Sequence, residues 1–238
     1  MLESHISEGD LDAALHRDVL TGLTSTEKWL PPKWFYDARG SELFEEITGL
    51  AEYYPTRAEA AALEANADAI AARTGAKMLV ELGSGSSRKT RLLLDALQRN
   101  GSLASFTGFD VSAAALEAAT SSLAARYPRL SVSGIVGDFT AHLRHLPSGS
   151  DRLVAFLGGT IGNLLPEPRR DFLTDLRSRL ERGEWLLLGA DLVKDPEVLV
   201  AAYDDAAGVT ARFNRNLLHV LNRRLGADFE TGAFDHVA

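Results

Sequence analysis

Leu79-Val80-Glu81-Leu82-Gly83-Ser84-Gly85-Ser86-Ser87-Arg88-Lys89-Thr90 is a short apolar strand that breaks at a Gly-x-Gly turn and runs straight into a helix-forming segment. Glycines let the backbone turn sharply and pass close to a ligand, and the following helix points its unpaired N–H groups at whatever polar group sits there. This is the layout of a nucleotide-cofactor site. The next apolar run, Phe106-Thr107-Gly108-Phe109-Asp110, ends on a carboxylate able to accept hydrogen bonds from both hydroxyls of a ribose.

Outward from this turn, strand and helix patterns alternate. Residues 78–82, 105–110, 131–136, 152–157 and 184–191 read as five strands, mostly continuous apolar runs of the kind that strands covered on both faces require. Residues 89–98, 112–126 and 167–180 read as helices between them, the last preceded by Pro166. The series predicts an α/β fold, a doubly wound parallel sheet with right-handed crossovers. The core spans 59–194. Residues 1–58 and 195–238 read as a mostly helical lobe, carrying Trp29-Leu30-Pro31-Pro32-Lys33-Trp34-Phe35-Tyr36-Asp37 and Glu52-Tyr53-Tyr54-Pro55-Thr56-Arg57. Aromatics with polar tips clustered in loops are candidates for gripping a small substrate, or are core residues whose hydroxyls reach water.

Spacing separates the cofactors better than the glycines do. A dinucleotide fingerprint places a third glycine where this chain has Arg88, which counts against NAD or FAD. S-adenosylmethionine joins an adenosine to an amino-acid tail with one carboxylate and no phosphate, and Lys89 is placed to meet that carboxylate as a point charge. Two further loops fit the same ligand. Gly137-Asp138-Phe139 offers an acidic acceptor for the adenine amino group and an aromatic ring to cover the base. Gly158-Gly159-Thr160-Ile161-Gly162-Asn163 offers small residues and one amide, suiting a reacting centre close to backbone. Each loop alone reads equally well as an ordinary turn; their succession at strand ends favours the ligand.

Other chemistries find less support. His142 and His145 lie three apart with no further ligand cluster, so no metal site is expected. There is no P-loop, no Gly-x-Ser-x-Gly elbow and no cysteine for a nucleophile or disulfide. A nicotinamide-dependent reductase rests on the Gly-x-Gly turn and Asp110 alone. The 238 residues are 45% apolar and 24% charged, enough for a full core, and the net charge of −8 opposes binding to nucleic acid or an anionic membrane. No run of about 18 apolar residues is present to span a bilayer, and the first residues lack a secretory pattern, so a cytoplasmic location is expected.

Several strings together resemble the histidine-specific Nα-methyltransferases of ergothioneine biosynthesis. They are Leu30-Pro31-Pro32-Lys33-Trp34-Phe35-Tyr36-Asp37, Glu52-Tyr53-Tyr54-Pro55-Thr56-Arg57, Glu81-Leu82-Gly83-Ser84-Gly85, Gly137-Asp138-Phe139, Thr160-Ile161-Gly162-Asn163 and Tyr203-Asp204-Asp205-Ala206-Ala207-Gly208-Val209-Thr210. The resemblance implies a class I, Rossmann-like methyltransferase that moves three methyl groups from S-adenosylmethionine to the α-amino group of L-histidine, giving hercynine. It makes Gly83, Lys89, Asp110, Asp138 and Phe139 the cofactor contacts. For the substrate it points to Tyr53 near the imidazole, Asn163 near the amino and carboxylate groups and Tyr203 on the carboxylate, with Tyr36 and Gly158 lining the site; Asn163 and Tyr36 are the catalytic candidates.

The family's chains continue for several elements beyond the position matching Ala238, including the last sheet strands. The resemblance therefore leads to an expectation of an exposed sheet edge near Trp185, open to self-association or a partner. It also keeps open a second reading, a fragment that binds the cofactor without turning over.

Overall fold

The computed structural model describes residues 2–149 and 151–238; Met1, which opens the expected lobe, lies outside them. In chain order the elements are β1 Leu2–Ser4, α1 Glu8–Thr24, a 3₁₀ turn at Pro32–Phe35, α2 Ala38–Thr48, α3 Tyr54–Thr74, β2 Met78–Leu82, α4 Thr90–Arg99, β3 Ser105–Asp110, α5 Ala113–Arg126, β4 Ser131–Val136, α6 Phe139–His142, β5 Arg152–Phe156, α7 Pro166–Arg179, β6 Trp185–Leu188, α8 Pro196–Tyr203 and α9 Val209–Leu225. Two units are formed: the stretch ending at His5 together with Arg57–Asp191, and Ile6–Thr56 together with Leu192–Ala238.

The first unit holds the doubly wound sheet. Among the described residues its six strands run parallel in the order β1-β4-β3-β2-β5-β6. The chain builds outward from β2 through β3 and β4, then returns to place β5 on the other side of β2. The strand order thus reverses between β2 and β5, where open α/β sheets place their ligands.

Alternation along the central strands feeds two cores. Leu79, Phe106, Leu153 and Ala155 pack with Leu93, Leu97 and Leu63 on one face, while Val80, Leu82, Phe109, Val154 and Phe156 pack with Phe172 and Leu176 on the other. Period-two alternation makes one strand serve both. Each such Leu or Phe, fully buried, contributes about 1.5–3 kcal/mol.

Three features differ from the sequence reading. β1 is a sixth strand, three exposed residues long, paired from Leu2 opposite Gly134 to Ser4 opposite Val136. So short a segment with a single apolar residue carries no periodicity, and its pairing is set by the β4 edge it meets. The strand read at 184–191 stops at Leu188, and the one read at 152–157 stops at Phe156. β6 lies at the sheet edge, with Leu186 and Leu188 exposed.

The second unit is helical among its described residues. Leu43, Ile47, Tyr53, Ala202, Val209 and Phe213 form one cluster, and Leu15, Trp34, Leu217, Val220 and Leu221 another. Asp37 ties it together: it caps α2 through Gly40 N at 2.7 Å, accepts from Asn216 Nδ2 at 2.8 Å, and pairs with Arg223 at 2.6 Å. None of the described helices is long and apolar enough to cross a membrane.

Candidate active site

Beyond β2 the backbone turns through Gly83 at φ +69° and Gly85 at φ +47°, values in the left-handed region that glycine reaches without strain. The Gly83 amide donates to Phe109 O at 2.7 Å, fastening this turn to the end of β3. Asp110 completes the junction. Its Oδ2 accepts from Gly85 N and its Oδ1 from Ser112 N, each at 2.9 Å. A carboxylate offers about four acceptor positions, so capacity remains for a ribose hydroxyl beside these amides. Burial raises the Asp110 carboxyl above its ordinary value, against the pull of the Ser112, Gly85 and Val111 amides.

Glu81 lies beneath the turn, 4% exposed. It accepts from Thr90 Oγ1 at 2.5 Å and Ser87 Oγ at 3.2 Å, so it holds the turn and the head of α4 from below. Burial pushes its carboxyl up to about 7, with the two hydroxyls and the Lys89 charge opposing and Asp110 adding.

Asp138 is buried and caps α6, its Oδ1 accepting from Thr140 N at 2.8 Å and Thr140 Oγ1 at 2.6 Å. Next to it, the Phe139 ring stands edge-on to Phe156 and Phe172, with centroids 5.2 and 5.7 Å away. A Cβ at position 83 would lie 3.7 Å from Phe139 Cε1, so ring and turn border the same space. His142 and His145, spaced like metal ligands, are otherwise engaged. His142 Nδ1 accepts from Asp138 N at 3.1 Å, and the His145 ring stacks on His5 at 3.4 Å.

Past β5, Gly158 and Gly159 lead into the 3₁₀ turn Thr160–Asn163, which leaves Asn163 exposed. Here sequence reasoning missed a residue. Glu59, near the start of α3, pairs with Lys89 and accepts from Gly158 N at 2.7 Å. Its partners lie 30 and 99 positions away, so no local pattern marks it.

The first unit therefore brings Gly83, Lys89, Asp110, Asp138, Phe139 and Gly158 to the carboxyl ends of its strands. The second unit gathers Tyr36, Tyr53 and Tyr203 separately. Tyr53 is buried, its ring edge-on to Tyr203 at 5.8 Å and to Phe44 at 6.2 Å, while Tyr36 meets Phe44 at 5.4 Å and Phe213 at 5.5 Å.

These groups are compatible with an adenosine that carries an amino-acid tail. Two carboxylates suit the hydroxyl and amino donors of an adenosine, and one lysine suits a single carboxylate rather than a pyrophosphate. A parallel sheet with this turn and this charge set is the frame of an S-adenosylmethionine-dependent methyltransferase. Residues 15–238 match the family model described as histidine-specific methyltransferase, SAM-dependent. The chain belongs to that family.

Its relatives agree. It is 54% identical over 235 residues to the histidine N-alpha-methyltransferase of Mycobacterium tuberculosis, covering 99% of this chain and 73% of that one. The protein of the same name from Mycolicibacterium smegmatis is 54% identical over 237 residues, 100% of this chain and 74% of the other. The ergothioneine biosynthesis protein 1 of Schizosaccharomyces pombe is 35% identical over 208 residues, 83% of this chain and 27% of its own.

Proposed function

We propose that this chain transfers methyl groups from S-adenosylmethionine to the α-amino nitrogen of L-histidine, three times in succession, to give hercynine for ergothioneine biosynthesis. The observation that carries this is the 54% identity, over essentially the whole chain, to two histidine N-alpha-methyltransferases. The pathway draws support from the name of the Schizosaccharomyces pombe relative.

Within this proposal Gly83, Lys89, Asp110, Asp138 and Phe139 hold the cofactor. Asp110 takes the ribose hydroxyls, Asp138 the adenine amino group, the Phe139 ring covers the base, and Lys89 takes the tail carboxylate. The bound cofactor supplies an electrophilic methyl group on a sulfonium. This chain's own residues have to present a neutral amine in line with it and exclude water, because displacement at carbon needs positioning rather than strong acid or base. We assign that task to Asn163 and Tyr36, and assign Tyr53 to the imidazole and Tyr203 to the carboxylate, with Gly158 lining the substrate. An amide and hydroxyls orient an amine without fixing it as an ammonium, as a neighbouring carboxylate would.

Two experiments test the reading. Release of S-adenosylhomocysteine is expected with histidine and not with histidine blocked at its α-amino group; equal turnover of both would contradict it. D110N presents an NH₂ to a backbone donor that now faces a carboxylate. Calorimetry is expected to show S-adenosylhomocysteine binding weakened about 10–30-fold, the effect of losing a hydrogen bond to a charged group. Binding within twofold of the original would remove Asp110 from the cofactor site.

A further inference from the structure

Glu59 sits where the strand order reverses, between the loop that follows β5 and the head of α4. One carboxylate oxygen accepts from the Gly158 amide at 2.7 Å, and the other pairs with the Lys89 ammonium. The two side chains are 16% and 23% exposed. Room for the carboxylate depends on a glycine: a Cβ at position 189 would lie 2.0 Å from Glu59 Oε1 and 3.2 Å from Leu157 Cα.

A staple between α3 and α4 would need neither the backbone amide nor the glycine. Those helices are already bridged on the surface by Asp68 and Arg99 at 2.6 Å. Nor is a lysine intended only to catch a carboxylate helped by a fixed counterion, which neutralises it. The arrangement makes sense for a ligand end that carries both charges.

We propose that Glu59 and Lys89 together form the receptor for the zwitterionic end of the cofactor, Lys89 facing its α-carboxylate and Glu59 its α-ammonium. This rests on the assignment of S-adenosylmethionine to the site. Before binding, the two side chains neutralise each other. On binding, one ion pair is exchanged for two with the ligand, and no net charge is buried, so neither partner is left as a desolvated lone ion. The Gly158 amide keeps the carboxylate in place while its second oxygen turns from Lys89 to the ammonium. A tail lacking the amino group would leave Glu59 competing for Lys89, so Glu59 sets specificity for an amino-acid tail over a simple acid.

The test is calorimetry on the intact chain with two ligands, S-adenosylhomocysteine and the same thioether without its α-amino group. The unaltered protein is expected to prefer the first about tenfold or more, the scale of a charge-assisted hydrogen bond. E59Q is expected to erase most of that preference, weakening the first ligand while the deaminated one binds equally or more tightly because Lys89 has lost its counterion. D68N, which breaks the surface bridge between the same helices, is expected to keep the original ratio. A preference below twofold in the unaltered protein overturns the proposal without reference to how any variant folds. So does an unchanged ratio in E59Q, or a D68N ratio altered as much as that of E59Q; Glu59 would then be only a staple. Failure of the unaltered protein to bind S-adenosylhomocysteine overturns this proposal together with the cofactor assignment. Binding with no tail preference overturns this one alone.

Discussion

R152A is expected to destabilise the protein by about 3–5 kcal/mol, the cost of leaving one partner of a buried ion pair uncompensated. Arg152 opens β5, and its side chain and that of Glu184 are 5% and 2% exposed. The guanidinium fork meets the carboxylate with both arms, Nε to Oε1 at 2.5 Å and Nη2 to Oε2 at 2.6 Å. It also donates to Pro147 O at 2.5 Å and Arg179 O at 2.6 Å. One side chain thus satisfies the loop before β5, the end of α7 and the turn into β6. Hydrogen bonding from the Arg152 side chain holds the Glu184 carboxyl below its ordinary range, so removal of that side chain strands a charge left with backbone donors alone, among them Glu181 N at 2.6 Å. Lysine cannot reproduce the fork, and R152K is expected to recover less than half the loss. Urea denaturation measures both; a loss under about 1 kcal/mol for R152A would show that this pair does not hold the sheet edge.

The second large effect is a dependence of stability on pH. The Glu81 carboxyl rises from 4.5 to about 7 on folding, chiefly through burial. The native state therefore holds a proton that the unfolded chain has released across that window, and stability falls as pH rises through it. At about 1.4 kcal/mol per pH unit, Glu81 costs about 3 kcal/mol by the time it is ionised in both states. Groups such as Glu184, held low in the fold, act in the opposite sense, losing their stabilisation as pH falls. The informative quantity is therefore the difference between two proteins. E81Q keeps the shape and lacks the titration, so the stability of E81Q relative to the unaltered protein is expected to improve by about 3 kcal/mol from pH 4.5 to above pH 7. Parallel stability curves across that range would mean that Glu81 is ionised throughout in the fold.

Much of the frame of the candidate cofactor site was legible because its signals are local. A strand, a turn and a carboxylate at the end of the next strand fall within 79–110, and the fold places Asp110 against the turn through the Gly85 amide. The loops at 137–139 and 158–163 were found by the same rule, as breaks after apolar runs. Glu59 was not legible, since on its own helix it is one carboxylate among several and gains meaning only from Lys89 and Gly158. The Arg152–Glu184 pair was hidden similarly: each residue marks the first position of an expected strand, and only the parallel pairing of β5 with β6 brings the two strand starts together. β1 was too short to carry a pattern. For the aromatic strings the sequence offered two readings, substrate grip or core, and the structure places Tyr53 within an apolar cluster while Tyr203 remains exposed.

The measurement that bears most directly on the central claim is mass spectrometry of L-histidine after incubation with this chain and excess S-adenosylmethionine. A product with three added methyl groups, all on the α-nitrogen and none on the imidazole, is expected to accumulate. Histidine recovered unmethylated, or methylated on the ring, would contradict it.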